Sequence, residues 1–483
     1  MTVKLLYEIS SKGKEGYSLP RNDMPDIKIE EQIPTEWIRS SIGLPEVSEP
    51  EIIRHFVNLS SMNYGVDSGF YPLGSCTMKY NPKINEDLAS LPEFTKIHPL
   101  QDVSTVQGSL KLMFALKKSL CEITGMDAFT LLPAAGAQGE LVGMMIVKKY
   151  FLKKGEGAKR TKMIIPVSAH GTNPASASSV GFEIVEVKST ECGEVDIDDL
   201  KTLLDDSIAG IMLTNPNTAG VFESNIQEIA SLIHQNGSLL YYDGANLNAL
   251  LGYARPGDMG FDIVHLNLHK TFSTPHGGGG PGSAPVGVKS FLKDYLPVPD
   301  IGFDGDHYYL EKTKPNTIGM IRLSGGNFSV LLKAYFYILS LGADGLKKSC
   351  EQAVISANYI REMLKEDFLQ GTRCICMHEC VLSAEPFLKY GIQAKDISKR
   401  LIDYGFHPPT NYFPLIIPEA LMIEPTESES KETIDAFIAV MKIIAKEARE
   451  NPDILKTAPH NSPITRPDEV KAAKDLDVAY RVR

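Results

Sequence analysis

Three passages decide the reading of this chain: Ile208-Ala-Gly-Ile-Met-Leu-Thr-Asn-Pro-Asn-Thr218, Ser238-Leu-Leu-Tyr-Tyr-Asp-Gly-Ala-Asn246 and Ile263-Val-His-Leu-Asn-Leu-His-Lys-Thr271. Each is an apolar run that ends in polar and small residues. A run without polar alternation suits a strand buried on both faces, as in a parallel sheet covered by helices. Two more runs of this kind lie upstream, Met163–Val167 and Phe182–Val187. Between them the spacing predicts helices over Asp196–Asp205 and over Ser224–Gln235, the latter stopped by Gly237. Upstream again, Gln107–Thr124 and Ala137–Lys153 read as helices. Strands alternating with helices of this length predict an α/β domain with a mostly parallel sheet.

Outside this region the texture changes. Residues 1–65 are polar, rich in Pro and Glu, and read as an arm. Residues 66–340 form the predicted large domain, closed by an apolar helix Phe328–Leu341 that Gly342 ends. Residues 341–450 mix helical and strand-like pieces and predict a smaller α+β domain, with a hinge near Gly345. Residues 451–483 read as a tail.

The chain has 483 residues and a formal net charge of -11, a poor match to nucleic acid or an anionic membrane surface. No uninterrupted apolar run approaches the roughly 20 residues of a bilayer span, and the N-terminus has no signal-peptide pattern. The seven cysteines are scattered, which predicts free thiols and a cytoplasmic setting.

In open α/β sheets, ligands sit at the carboxyl ends of the strands. Here those ends carry Ser168-Ala-His170-Gly-Thr172, Thr214-Asn215, Asp243-Gly-Ala245-Asn246 and His269-Lys270-Thr271, while Pro133-Ala-Ala-Gly-Ala137-Gln138 opens a helix. The set matches the needs of pyridoxal 5'-phosphate (PLP). Lys270 is an amine able to hold the aldehyde covalently. Asp243 is a carboxylate able to keep the pyridine nitrogen protonated, so that the ring draws electrons. His170 is a flat group for the ring face, and the helix start at Ala137-Gln138 suits a phosphate. Ala245, Thr214 and Asn215 are further candidate contacts, and His269 or His276 are candidates for moving protons near neutral pH. Taken singly, an Asp after a strand is usually a turn former and a lone His or Lys is usually structural; it is their order along the chain that favours chemistry.

Two other patterns are set aside. Gly277, Gly279 and Gly282 match G-x-G-x-x-G, but they follow Ser-Thr-Pro-His and meet Pro281 and Pro285, so no dinucleotide-binding helix starts there. Cys374, Cys376, His378 and Cys380 alternate on one predicted strand, which is a poor zinc geometry, so buried thiols are expected instead and no metal site.

At Ser273-Thr-Pro-His-Gly-Gly-Gly-Gly-Pro-Gly282, just after His269-Lys270, the chain closely resembles the P-protein family of the glycine cleavage system. Agreement extends through Tyr71-Pro-Leu-Gly-Ser-Cys-Thr-Met-Lys-Tyr-Asn-Pro82, Gly136-Ala-Gln-Gly-Glu140, Ala169-His-Gly-Thr-Asn-Pro-Ala175, Asp243-Gly-Ala-Asn246, Met377-His-Glu379 and Met422-Ile-Glu-Pro-Thr-Glu-Ser-Glu429. The resemblance is to the C-terminal half of the two-halved members, called subunit 2 or beta where the halves are separate. It implies the fold type I PLP architecture, covalent PLP at Lys270, and decarboxylation of glycine by a glycine dehydrogenase (aminomethyl-transferring). It also implies transfer of the aminomethyl group to the lipoyl arm of H-protein, and an alpha partner in an α2β2 heterotetramer. Two rival readings stand beside it: another fold type I amino-acid decarboxylase or aminotransferase, which would share Lys270 and Asp243, and a PLP-free scaffold subunit, which the presence of Lys270, Asp243 and His170 together argues against. Arg322 and Arg373 are the candidates for gripping the glycine carboxylate.

Overall fold

The structure is a computed structural model that describes residues 3–18, 20, 21, 23–277, 282–323 and 325–480. It divides into two units, Met1–Ser68 with His460–Arg483, and Gly69–Pro459. In the first unit the main element is the helix Glu49–Ser60. A capping box starts it: the Ser48 backbone and hydroxyl both donate to Glu51, at 2.9 and 2.8 Å. Tyr7 and Tyr480 stack with ring centroids 4.3 Å apart.

The second unit is built on a seven-stranded sheet of order β1-β7-β6-β5-β4-β2-β3. Its strands are β1 (Ala128–Thr130), β2 (Lys162–Pro166), β3 (Glu183–Val187), β4 (Ile208–Thr214), β5 (Leu239–Gly244), β6 (Ile263–Leu266) and β7 (Val286–Val288). Pairing is parallel from β3 across to β6, and only β7 runs against its neighbours. The alternation of side chains along the strands feeds two cores. Ile211, Leu213, Leu240 and Tyr242 face one core, with Leu116 and Leu120 of the helix Gln107–Thr124 and Ile229 and Ile233 of the helix Ile226–Gln235. Met212, Leu239 and Tyr241 face the other, with Val142, Ile146 and Phe151 of the helix Gly136–Lys153. That helix lies close because it has Gly143 where it crosses β5: a Cβ there would stand 2.2 Å from the Tyr241 ring.

A hairpin follows, β8 (Asp300–Phe303) with β9 (Tyr308–Glu311). Next comes the helix Phe328–Met363, whose geometry breaks at Gly342, at φ 62°. It is the one helix among the described residues long and apolar enough to cross a membrane by composition. Val330, Leu331, Ala334 and Tyr337 lie in the first core, and the break interrupts it, so it reads as a core helix. A second, antiparallel sheet of order β10-β11-β13-β12 contains β10 (Leu369–Gln370), β11 (Cys380–Ser383), β12 (Thr410–Asn411) and β13 (Ala420–Ile423). It packs with the helices Ala394–Asp403 and Lys431–Glu450 around its own core, in which Leu382, Leu421, Ile397, Phe437 and Met441 are buried.

The cysteines correct the sequence reading. Cys192 and Cys374 form a disulfide with Cα atoms 5.9 Å apart, and Cys76, Cys121, Cys350, Cys376 and Cys380 are free. A pairing across 182 residues of sequence leaves no spacing signature. The strand expected to carry all four Cys and His positions is shorter too: it starts at Cys380, and Cys376 instead donates to the Asn358 side chain at 3.3 Å.

Candidate active site

The carboxyl ends of β4, β5 and β6 lie side by side, with Thr214 in register with Asp243, and Asp243 with His265. Asp243 is buried. Its Oδ1 accepts the Ala245 N–H at 3.0 Å and stands 3.4 Å from His265 Nε2. On the far side of that ring, the Tyr241 hydroxyl lies 2.7 Å from His265 Nδ1. Burial pushes Tyr241 far above its ordinary range and His265 below its own. The tyrosine therefore keeps its proton and donates to Nδ1, and the neutral histidine presents Nε2–H towards Asp243.

Lys270 sits in a short turn of helix, Leu268–Thr271, that follows β6 directly. Its Nζ donates to the Ser75 carbonyl at 2.6 Å. Ser75 and Thr77 both adopt left-handed backbone, φ 67° and 51°, which costs a non-glycine residue about 1–3 kcal/mol. Two buried carboxylates hold this conformation. Glu379 accepts the Ser75 N–H at 2.8 Å. Glu424 accepts the Thr77 N–H at 3.0 Å, the Thr77 hydroxyl at 2.7 Å and the Asn246 side-chain amide at 2.8 Å. Burial raises both carboxyls, and the Glu424 charge raises Glu379 further while Lys270 opposes it. His378 completes the cluster, with its ligand atom and those of Glu379 and Glu424 within 4.8 Å of one another. Beside the loop, His276 Nε2 donates to the Cys76 carbonyl at 2.8 Å.

A second group stands on the other side of Asp243. Glu140, buried in the helix Gly136–Lys153, has Oε1 2.9 Å from Thr172 Oγ1, and its other oxygen accepts from Ser176 Oγ at 3.1 Å. Thr172 Oγ1 is also 2.9 Å from Nδ1 of His170, whose exposed ring meets Phe413 edge-on at 5.6 Å. Asp243 and Lys270 both act on the titration of Glu140, His170 and His265, so these residues share one electrostatic site.

The remaining candidates divide. At the helix start, Ala135 makes no side-chain cap, which leaves the first N–H groups, those of Ala137 and Gln138 among them, without an intrahelical acceptor. Gln138 is partly committed, because its Oε1 accepts the Ala134 N–H at 2.6 Å. Thr214 Oγ1 is buried with no hydrogen-bond partner among the described residues. Asn215 is turned inward: its side-chain oxygen accepts the Glu223 N–H at 2.9 Å and its carbonyl accepts the Tyr242 hydroxyl at 2.5 Å. His269 faces Ser283, whose N–H reaches its Nδ1 at 3.4 Å, and meets His276 edge-on at 5.0 Å. Burial pushes His269 down to about 3 and His276 to about 4, so neither titrates near neutrality as a free histidine does. Arg322 reaches the Leu132 carbonyl at 3.4 Å and the Asn327 side chain at 3.3 Å, towards the helix start, whereas Arg373 is exposed. Residues 278–281 of the glycine run lie outside the described residues.

The donor set fits PLP. It offers an amine, a buried carboxylate beside an imidazole, an exposed flat ring, and a helix start faced by Asn267, whose side-chain oxygen is buried with no partner among the described residues. Glu140, Tyr241, His265, Ser75, Glu379 and Glu424 were not foreseen as site residues. Glu140 did leave one signal, a carboxylate on the buried face of an apolar helix.

Sheet, second domain and site together define a fold type I PLP-dependent enzyme. A family model described as "Glycine cleavage system P-protein" matches residues 19–309, and one described as "Glycine dehydrogenase, C-terminal domain" matches residues 349–465. A "Probable glycine dehydrogenase (decarboxylating) subunit 2" of Caldanaerobacter subterraneus subsp. tengcongensis is 59% identical over 472 residues, covering 98% of this chain and 97% of that protein. One of the same description from Thermotoga maritima is 57% identical over 471 residues, covering 97% and 98%. Among solved structures, a glycine decarboxylase (P-protein) in inhibitor-bound form superposes with TM-score 0.72 at 19% identity, over 86% of this chain and 94% of that one. A Lactobacillus brevis glutamate decarboxylase superposes with TM-score 0.67 at 12% identity, over 89% and 96%. The chain belongs to the glycine cleavage system P-protein family.

Proposed function

We propose that this chain is the catalytic subunit of a glycine decarboxylase: it carries PLP on Lys270, removes the carboxylate of glycine as carbon dioxide, and delivers the aminomethyl group to the lipoyl arm of H-protein. The observation that carries the reading is the Lys270 amine, in the turn of helix that follows β6, where both it and Asp243 act on Glu140 and His170, in a chain of this family. The fold alone does not choose the substrate, because a glutamate decarboxylase shares it; family membership favours glycine.

When bound, PLP supplies an electron sink for the pair released as the carboxylate leaves. The chain's own residues prepare for this. Asp243 would hold the ring nitrogen protonated; the Ala245 N–H orients its carboxylate, and His265 Nε2 stands beside it at 3.4 Å. The helix start at Ala137-Gln138 would hold the phosphate with N–H groups and a favourable dipole. His170 would lie on the ring face. The Ser75 carbonyl fixes the Lys270 amine before any substrate arrives. Its backbone is held in turn by Glu379, so the second sheet takes part in placing the lysine. The description "subunit 2" of the relatives supports a two-subunit enzyme, which we read as an α2β2 heterotetramer with an alpha partner of related fold.

The test is exchange of labelled carbon dioxide into glycine, with PLP, lipoylated H-protein and the alpha partner present. Wild-type chain is expected to support exchange, and Lys270→Ala to abolish both exchange and the visible absorbance of bound PLP. Exchange retained in Lys270→Ala would sink the lysine assignment. PLP absorbance without exchange in the wild type would move the substrate to another amino acid.

A further inference from the structure

The contacts around Thr172 over-determine the state of two residues at once. The Thr172 backbone N–H points at His170 Nδ1 from 3.2 Å. An N–H donor requires a lone pair on the ring nitrogen, so Nδ1 is unprotonated and the ring proton sits on Nε2. Thr172 Oγ1 is 2.9 Å from that same Nδ1. Two acceptors do not share such a distance, so the hydroxyl donates its single proton there. Oγ1 is also 2.9 Å from Glu140 Oε1. With its proton already committed, the hydroxyl can only accept from Glu140, and Oε1 must bear a hydrogen. Ser176 Oγ serves the other oxygen as a donor at 3.1 Å. With an ionised Glu140, the carboxylate and the imidazole compete for one threonine proton, and a buried acceptor is left unpaired.

We propose that Glu140 is a positioning residue that carries a proton and, through the Thr172 hydroxyl, holds His170 in the tautomer protonated on Nε2. The chain of donors runs Glu140 Oε1–H to Thr172 Oγ1, then Thr172 O–H to His170 Nδ1. Nothing is transferred at rest; the order of the hydrogens fixes the ring and its outward Nε2–H.

The surroundings agree. Glu140 is buried. Thr172 and Ser176 face it from the helix Thr172–Ser179, Tyr241 and Asp243 from β5, and His265 packs beside it against Gly139. The only cation among the influences on it is Lys270. Burial and the Asp243 charge outweigh the Thr172 and Ser176 hydroxyls and that lysine, and push Glu140 up to about 8. The ordering of hydrogens is therefore expected at neutral pH and is expected to fail above it.

The inference rests on the reading of His170 as a site residue, but its test does not use turnover. The readout is the pair of ring nitrogen shifts of His170, in protein labelled with nitrogen-15 at histidine and assigned by difference from His170→Asn, without PLP. At about pH 7 the wild type should show an unprotonated Nδ1 and a protonated Nε2, and the pattern should move towards a tautomer average with a midpoint near 8. Glu140→Gln, whose amide can donate to Thr172 Oγ1 at every pH, should keep the neutral-pH pattern and lose the midpoint. Thr172→Val, which removes the link, should also lose it. Either of two results overturns the proposal: a wild-type His170 whose shifts are flat from about pH 7 to about pH 9.5, or a folded Glu140→Gln that has lost the neutral-pH pattern. Failed carbon-dioxide exchange would count against the glycine reading and leave these shifts unaffected.

Discussion

Lys79 and Lys270 each reach across to the other's segment, Lys79 to the Thr271 carbonyl and Lys270 to the Ser75 carbonyl, yet their surroundings give them opposite roles. Lys79 is 3% exposed and fully committed. Its Nζ donates to the Thr271 carbonyl at 2.8 Å, to Glu427 at 2.7 Å, and to Asn248 and Tyr337 at 3.3 Å each. Burial alone would lower it, but Glu427 and Tyr337 outweigh burial and hold it above its ordinary value. Such a lysine is charged, fixed and unavailable as a nucleophile. Lys270 has one carbonyl, Ser75, as its hydrogen-bond partner among the described residues. Borohydride reduction of the PLP-loaded protein followed by peptide mapping should thus place the label on Lys270 and leave Lys79 bare. Lys79→Met should instead strand Glu427 without its cation and cost about 3–5 kcal/mol in urea unfolding. A cost under about 1 kcal/mol would mean that Glu427 is hydrated once the lysine is gone. The sequence separates these lysines only partly. Strand sequence before Lys270 predicts its place at a sheet edge, but the four partners of Lys79 come from distant segments that no local pattern joins.

The loop Gly74–Thr77 is the element on which the two sheets converge. Ser75 and Thr77 hold left-handed backbone only because Glu379, just before β11, and Glu424, just after β13, receive their N–H groups. Gly74 has no choice of residue: a Cβ there would lie 2.2 Å from the Met422 side chain. The cost of these buried carboxylates shows as pH dependence. Both are raised by burial. A carboxyl raised in the folded state binds more protons folded than unfolded between its ordinary range and its raised value. Stability therefore falls as pH rises through that window, and is recovered as pH drops. Glu379→Gln removes the titrating group and keeps an acceptor for Ser75, so it should flatten the loss between about pH 5 and about pH 8 by on the order of 1 kcal/mol or more. Parallel slopes for wild type and variant would show that Glu379 stays ionised. Little of this element was legible beforehand. The apolar runs of β2 to β6 announced themselves, because strands buried on both faces read as continuous hydrophobic stretches. β1 and β7, of three residues each, and the two-residue β10 and β12 are too short to carry a period. Met377-His-Glu379 stood out only by family resemblance, since its role depends on pairing across about 300 residues.

At the scale of the whole second unit, the disulfide joins the segment after β3 of the large sheet to the segment before β11 of the second sheet. Cys192 follows β3 and Cys374 precedes β11, and both pack on the small core of Ala219, Val221, Val381, Ile417 and Met422. The segment from Cys374 to Glu379 is also tied by backbone, because the Met377 N–H donates to the Gly220 carbonyl at 2.7 Å. The fit is close: a Cβ on Gly220 would stand 2.2 Å from the Glu379 carbonyl. Two restraints thus act on the strip that delivers Glu379 to Ser75, and only one of them is covalent. A cross-link over so long a loop stabilises mainly by restricting the unfolded chain, typically by 2–4 kcal/mol. Cys192→Ser should therefore lower the denaturant midpoint in proportion to a loss of about that size, and added reductant should lower the wild type to match. The Met377–Gly220 bond and the packed core survive the change, so borohydride labelling of Lys270 should stay at wild-type extent. A variant that loses labelling together with stability would show that the disulfide, rather than the backbone tie, is what sets Glu379 against the lysine loop.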